Sequence, residues 1–307
     1  MGRFGKPLCN GGFRRHRGGF APAWGANREV PRGRAPRQAA AGLVAGALRP
    51  RGAPIGKSPA AAPAWGAEVV SSNIVGYNKL TLSNQYNLLG SQFVNVGKDI
   101  KDINELFDKN NTLPGLDDEG EFQTTLRIWD GSAYAYYGWL DADDGTNNEV
   151  PEWNSSWILN DMTDQASFDV PDGEGFWVII PKQASASVTM SGEVIEGDSV
   201  TKPVKAGFNL MSNPFPAELD IQKIQSTDLL GLDDEGEFQT TLRIWDGSAY
   251  EYYGWLDADD GTNNEVPEWN SHWILYDMTD VASAKIGIGK GFWIVSPNAS
   301  GNITFTK

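Results

Sequence analysis

The chain has very little of the chemistry on which disulfide-stabilised proteins and most enzymes depend. Its 307 residues include one cysteine, Cys9, and two histidines, His16 and His272. A single cysteine excludes an intrachain disulfide and a cysteine-based metal site. No apolar run approaches the roughly 20 residues of a transmembrane helix, so none is predicted.

Positive charge is scarce over most of the chain. Residues 1–66 carry 12 Lys/Arg and one acidic residue, Glu29, whereas residues 67–307 carry 13 Lys/Arg and 39 Asp/Glu. Nucleic-acid phosphates and anionic membrane surfaces bind Lys and Arg. We therefore expect no nucleic-acid partner for residues 67–307, and we expect divalent cations to be their natural counterions.

Residues 1–67 are basic and rich in Gly, Pro, Ala and Arg. Because this stretch has too few aliphatic residues to bury a core, it is predicted to be a disordered extension. Three interpretations remain open for it. It is an extension or a mis-assigned gene start, a degenerate export signal built on residues 38–48, or an arm that binds nucleic acid.

An internal repeat organises the remainder of the chain. Residues 115–167 and 231–283 are nearly identical at a constant offset of 116, and they differ at four of 53 positions. Similarity continues on both sides of this segment, so each unit spans about 115 residues and sets the architecture. We predict one unit over residues 68–193 and a second over residues 194–307. The four differences are Ala135/Glu251, Ser156/His272, Asn160/Tyr276 and Gln165/Val281.

The local patterns in each unit predict β-structure. Short runs rich in β-branched and aromatic residues are bounded by Gly, Asp, Asn and Pro. Asp-Gly within residues 129–134 predicts a hairpin. Residues 100–107 and 219–225 predict one or two helical turns capped by Asp. About seven strands per unit predict an all-β protein with minor short helices, built from two tandem antiparallel sandwich-like or barrel-like domains.

The segments most like a binding site are residues 140–154 and 256–270, which are rich in oxygen-bearing side chains. Calcium prefers six to eight oxygen ligands on a flexible loop, although the spacing here differs from that of an EF-hand. The alternative is a solvated acidic turn between strands. The predicted calcium ligands are Asp141, Asp143, Asp144, Asn147 and Glu149 in the first unit, and Asp257, Asp259, Asp260, Asn263 and Glu265 in the second.

Tryptophans lie close in sequence to the acidic residues of these segments and are candidates for stacking against sugar rings. The alternative is that they form the core of a small β-domain. Three tyrosines on one predicted strand, Tyr134, Tyr136 and Tyr137, alternate between faces, so at least one is expected to be exposed. The predicted sugar platform consists of Trp139, Trp153, Trp157, Trp255, Trp269 and Trp273.

The repeat also tests for catalysis, because a catalytic group in one unit should usually recur in the other. His272 is replaced by Ser156, which excludes a histidine-based triad or zinc site common to both units. The sequence contains no GxSxG, P-loop or HExxH motif. We therefore predict no enzymatic activity, no catalytic residues and no required cofactor, with calcium as the candidate ligand.

Three segments of the second unit carry a family resemblance: FNLMSNPF (208–215), LRIWDGSAYEYY (242–253) and GKGFWIV (289–295). Together they resemble a module in secreted tandem-repeat β-rich proteins of the Verrucomicrobia and Lentisphaerae type. AEVVSSNIVGYNKLTL (67–82) is similar to the mature start of such proteins. The resemblance covers residues 67–307 and implies export and a β-rich module, without an established activity.

The sequence therefore predicts a non-catalytic structural or adhesive repeat protein, extracellular or on a bacterial cell surface. Self-association is a further expectation, because numerous β-edges offer backbone groups for pairing. The alternative is a calcium-assisted carbohydrate-binding module whose partner is an extracellular glycan.

Overall fold

A computed structural model describes residues 75–82, 85–94, 100–297 and 301–307. The predicted N-terminal extension, residues 1–67, lies outside these ranges. None of the helices in the described residues has the length and apolar character of a membrane-spanning segment.

Strands dominate the first repeat, and its helical segments are single turns. The strands are β1 (Val75–Leu82), β2 (Tyr86–Gly90), β3 (Phe93–Val94), β4 (Ile100–Asp102), β5 (Thr125–Trp129), β6 (Tyr134–Leu140), β7 (Ser156–Leu159), β8 (Asp169–Pro171), β9 (Gly175–Ile179) and β10 (Ala186–Val194). The helical turns are α1 (Ile103–Leu106), α2 (Asp144–Asn147) and a 3-10 turn at Pro151–Trp153.

The second repeat follows the same order. Its strands are β11 (Ser199–Val204), β12 (Gly207–Ser212), β13 (Leu219–Asp220), β14 (Ile224–Gln225), β15 (Thr241–Trp245), β16 (Tyr250–Leu256), β17 (His272–Leu275), β18 (Lys285–Ile286), β19 (Gly291–Ser296) and β20 (Gly301–Thr306). Its helical turns are α3 (Asp260–Asn263) and 3-10 turns at Ile221–Lys223 and Pro267–Trp269.

Each repeat contains a five-stranded antiparallel sheet with the same strand order. The order is β2-β9-β5-β6-β7 in the first repeat and β12-β19-β15-β16-β17 in the second. A three-stranded sheet accompanies each of them, β1-β10-β3 and β11-β20-β14 respectively. The prediction of an all-β antiparallel fold with minor helices is confirmed.

The Asp-Gly hairpin forms between β5 and β6, with Trp129 opposite Tyr134. The Asp130 carboxylate accepts hydrogen bonds from the backbone N–H groups of Ser132 and Ala133, at 2.7 Å each. Gly131 has a φ of 103°, in the left-handed region that favours glycine. Asp130 and Gly131 thus determine the turn through side-chain capping and backbone freedom.

Both predicted helical turns also form. Asp102 caps α1 by accepting from the Asn104 N–H at 2.9 Å, and Asp220 accepts from the Gln222 N–H at 2.9 Å in the second repeat. These contacts satisfy backbone donors at the start of each turn. The capped turns place the Asn104 and Gln222 side chains against the neighbouring sheet.

Each repeat has its own hydrophobic core between its five-stranded and three-stranded sheets. In the first, Leu89 and Phe176 from one sheet pack with Val188 from the other. A third cluster joins the two repeats, so part of the opposite face of each five-stranded sheet is also buried, and the described residues form one compact unit. The buried members of this shared cluster are Leu88, Trp177, Ile179, Leu210 and Trp293.

Candidate functional site

The acidic loop after β6 is organised by its own carboxylates. Asp144 Oδ2 accepts from the backbone N–H of Leu116 at 2.8 Å and of Asp141 at 3.0 Å. Asp141 Oδ1 accepts from the N–H groups of Asp143 at 3.1 Å and Asp144 at 3.2 Å. Asp144 is buried, so these bonds fix the shape of the loop.

The loop after β16 repeats this arrangement. Asp260 Oδ2 accepts from Leu232 N at 2.8 Å and from Asp257 N at 3.1 Å. Because the same contacts occur twice, the carboxylates have a structural role whether or not a cation binds.

Three carboxylates in each loop lie close enough to hold one cation. Oxygen atoms of Asp141, Asp143 and Asp144 lie within 4.8 Å of one another, and so do those of Asp257, Asp259 and Asp260. A hydrogen bond to the Asp141 carboxyl, followed by its negative charge, raises the pKa of Asp143. Asp257 raises the pKa of Asp259 in the same way. A bound divalent cation would relieve this repulsion.

The other predicted calcium ligands lie at the edge of these groups. Asn147 and Asn263 are exposed at the ends of α2 and α3. Glu149 and Glu265 are exposed, have φ angles of 64° and 63°, and do not belong to the groups of neighbouring carboxylates. The carboxylates that the fold brings together are therefore the three aspartates of each loop.

Four of the six tryptophans predicted as a sugar platform are in the core, so that prediction is wrong for them. Trp139 and Trp157 are directly opposite each other on β6 and β7, with ring centroids 5.1 Å apart. Trp255 and Trp273 form the same cross-strand pair in the second repeat, also at 5.1 Å. These four residues are at most 1% exposed, because these strand positions face the interior.

The remaining two candidates, Trp153 and Trp269, lie in the 3-10 turns that follow the acidic loops. Both are half-buried. They keep part of an indole surface accessible beside the aspartate groups.

A group of exposed aromatic residues lies elsewhere, on the second five-stranded sheet. It is on the face that packs against the first repeat, where that repeat leaves the sheet uncovered. The Arg243 guanidinium lies 5.3 Å from the ring centroid of Phe208 and 5.2 Å from that of Tyr252. Tyr276 continues the series, with its ring 5.9 Å from Tyr252. We call Phe208, Arg243, Tyr252 and Tyr276 the aromatic row. Its aromatic residues are 46%, 42% and 51% exposed, in the order Phe208, Tyr252 and Tyr276.

The first repeat carries a shorter version of this surface. Arg127 lies 5.2 Å from the Tyr136 ring, and Tyr136 and Tyr86 are each 42% exposed. Asn160 occupies the position of Tyr276, so the last ring of the series is missing. The exposure of Tyr136 agrees with the expected alternation along this strand. Once Trp139 is assigned to the core, a period of two places Tyr136 on the other face.

A cleft of about 210 Å³ lies between the repeats, lined by Trp129, Glu174, Lys202 and Phe208. Lys202 Nζ lies 3.5 Å from Glu174 Oε2. Burial raises the pKa of Glu174, and the positive charge of Lys202 opposes this shift. A related cleft of about 260 Å³ contains Lys290 at the position equivalent to Glu174. The two clefts therefore differ in charge.

Comparison with known proteins identifies no relative. No family model, no curated protein and no solved structure matches the chain at a significant level.

Proposed function

We propose that this chain is a non-catalytic adhesive protein of the cell exterior that binds extracellular glycans through the aromatic row. The observation that carries the proposal is the exposure of three aromatic rings beside a guanidinium on one sheet face. The C–H groups of a pyranose ring pack against such rings, and an arginine fork donates hydrogen bonds to hydroxyl groups. Tyrosine gives this contact area at a low cost in side-chain entropy.

The rigidity of the supporting sheet favours this proposal. Arg243 is on β15, opposite Tyr252 on β16 and Trp293 on β19. Trp293 is buried against the other repeat. A row on paired strands loses little freedom when it binds, which reduces the free-energy cost of binding. The shorter surface on the first repeat provides a second, weaker contact for an extended glycan.

The location outside the cell is part of the proposal, supported by the resemblance to exported repeat proteins and by the excess of acidic residues. Self-association remains a proposal as well. The sheet faces joining the two repeats are already in use within one chain. Assembly into filaments would therefore need another surface, such as the edge strand β1, where Val75 and Tyr77 are 70% and 79% exposed.

The test is titration of the full chain with soluble neutral polysaccharides. Binding is measured by calorimetry and by the electrophoretic shift in polysaccharide gels. Tyr252→Ala should abolish binding, and Tyr276→Asn, which copies the first repeat, should weaken it. Asn160→Tyr adds the missing ring to the first repeat and should strengthen binding. Met278→Ala, at a position 40% exposed outside the row, is the matched control and should leave binding unchanged. Equal binding by wild type and Tyr252→Ala would reject the row as the glycan surface.

A second candidate is that calcium assists this binding, and the paired aspartate groups favour it. Calcium should raise the melting temperature of the full chain and chelation should lower it, because a ligand of the native state stabilises that state. Asp143→Asn with Asp259→Asn should remove the calcium response. Glu152→Gln with Glu268→Gln, nearby and outside the groups, is the control. An identical melting temperature with calcium and with chelator would show that the loops are solvated turns that do not bind calcium.

A further inference from the structure

The two repeats meet across a pseudo-two-fold axis. Gly90 N donates to Gly289 O at 3.1 Å, and the equivalent Ser212 N donates to Gly173 O at 2.9 Å. The bridge between Leu89 and Lys290 likewise has its counterpart between Met211 and Glu174. An interface that uses the same patch on both partners normally pairs identical units.

One pair of equivalent positions breaks this symmetry at the axis. A Cβ added to Gly90 would overlap both the Cβ and the Oγ of Ser212. Ser212 Oγ uses the space to donate to Glu174 O at 2.9 Å. There is therefore room for one side chain at the axis, and two second repeats, each with Ser212, would clash if they paired through this face.

A second pair of equivalent positions, Leu80 in the first repeat and Lys202 in the second, differs in charge. Lys202 of the second repeat packs beside Gly173 and pairs with Glu174 of the first. Across the axis, Leu80 is the equivalent of Lys202: it packs beside Gly289, next to Lys290.

Pairing two second repeats would therefore place Lys202 beside Lys290 on both sides. Pairing two first repeats would place Glu174, a half-buried carboxylate, beside Leu80 and without its ammonium partner. Both arrangements carry a larger electrostatic cost than the native pairing, in which burial lowers the pKa of Lys290 but Glu174 keeps Lys202 as its partner.

We infer that these two asymmetries allow the junction face of the first repeat to pair with the junction face of the second. They disfavour pairing between two first repeats or between two second repeats. The surface around Ser212 accepts a first repeat, from the same chain or from a second copy of it, and rejects another second repeat. Near-identical tandem units are prone to mispairing between chains, and small repulsive elements of this kind prevent it.

The test is whether each pair can be exchanged across the axis in the full chain. Gly90→Ser should lower the melting temperature by about 3–10 °C, because it overfills the axis. Ser212→Gly should cost about 2–4 °C through the lost hydrogen bond. The double variant moves the single side chain to the other side of the axis. It should melt above Gly90→Ser and within about 2 °C of the wild type.

The charges of Glu174 and Lys202 are exchanged in the same way. Glu174→Lys should lower the melting temperature, and adding Lys202→Glu should recover most of the loss. Lys285 and Glu218, an ion pair whose side chains are 60% and 64% exposed, are the control, and reversing Glu218 should have little effect. Additive losses in either double variant, or wild-type stability of Gly90→Ser, would overturn the inference.

Discussion

Trp129 of the first repeat donates its indole N–H to the backbone carbonyl oxygen of Phe208 in the second repeat, at 2.8 Å. The reciprocal bond runs from Trp245 to the carbonyl oxygen of Tyr86, at 2.9 Å. Each indole also packs against a tryptophan of the other repeat, Trp293 and Trp177 respectively, at about 6 Å between ring centroids. The junction between the repeats is thus held by specific polar contacts as well as by burial.

Replacing Trp129 by Phe removes this hydrogen bond and keeps an aromatic ring. We expect the free energy of unfolding to fall by about 1–2 kcal/mol, because the Phe208 carbonyl loses its donor and some packing is lost. Trp245→Phe should have a similar effect. Urea unfolding measures both, and wild-type stability in both variants would show that these bonds do not hold the repeats together.

The side-chain amides of Asn104 and Gln222 have the same role in their repeats. Asn104 Nδ2 donates to Ala166 O at 2.8 Å and to Trp157 O at 3.1 Å, and its Oδ1 accepts from Trp157 N at 2.7 Å. Asn104→Ala leaves these partly buried backbone groups without partners, so we expect a loss of about 2–4 kcal/mol in urea unfolding. The exposed Asn110→Ala is the control and should change stability by less than about 0.5 kcal/mol.

Two neighbouring aspartates should respond differently to truncation. Asp144→Ala leaves the Leu116 and Asp141 N–H groups without their acceptor, so we expect a loss of about 2 kcal/mol or more. Asp143→Ala removes the charge that is repelled by Asp141, so in metal-free buffer the melting temperature should stay constant or rise. A large loss in Asp143→Ala without metal would contradict the structural assignment of these two side chains.

Stability should also fall at alkaline pH. Burial favours the neutral phenol and raises the pKa of Tyr134 from 10.0 to about 12, and burial raises the pKa of Tyr250 as well. The folded chain therefore keeps protons that the unfolded chain releases. The contribution of the two neutral phenols to the free energy of unfolding is complete below about pH 10 and is lost as the pH rises through about 12.

Urea unfolding between pH 9 and 11.5 measures this loss, and absorbance at 295 nm reports phenol ionisation. The variant with Tyr134→Phe and Tyr250→Phe should lose less stability over this interval than the wild type. An equal loss in both proteins would show that other groups control the alkaline transition.

Local chemistry made much of the fold predictable. The strands, the Asp130-Gly131 turn and the caps at Asp102 and Asp220 follow from short-range patterns, and the structure contains them. The direction of the tryptophans did not follow from the sequence. Leu88 and Leu89 are adjacent and both buried, because both faces of the five-stranded sheet are covered at these positions. Such a sheet loses the alternation that distinguishes an interior tryptophan from an exposed one.

The functional surfaces were predictable only in part. The aspartate groups were visible as a dense acidic segment, since their members are close in sequence. The aromatic row brings Phe208 together with Tyr252 and Tyr276, which lie far from it along the chain. The difference between Gly90 and Ser212 could be read from the aligned segments. Its meaning depends on the position of an axis that only the assembled repeats define.

The first and last strands of each repeat are antiparallel neighbours. Val75 pairs with Glu193 in the first repeat, and Ser199 pairs with Thr306 in the second. Tension along the chain therefore acts at one end of each ladder and peels the strands apart one residue pair at a time, instead of shearing the whole ladder at once. Under load the chain should lengthen at modest force in two steps, one for each repeat, and absorb mechanical work as it yields.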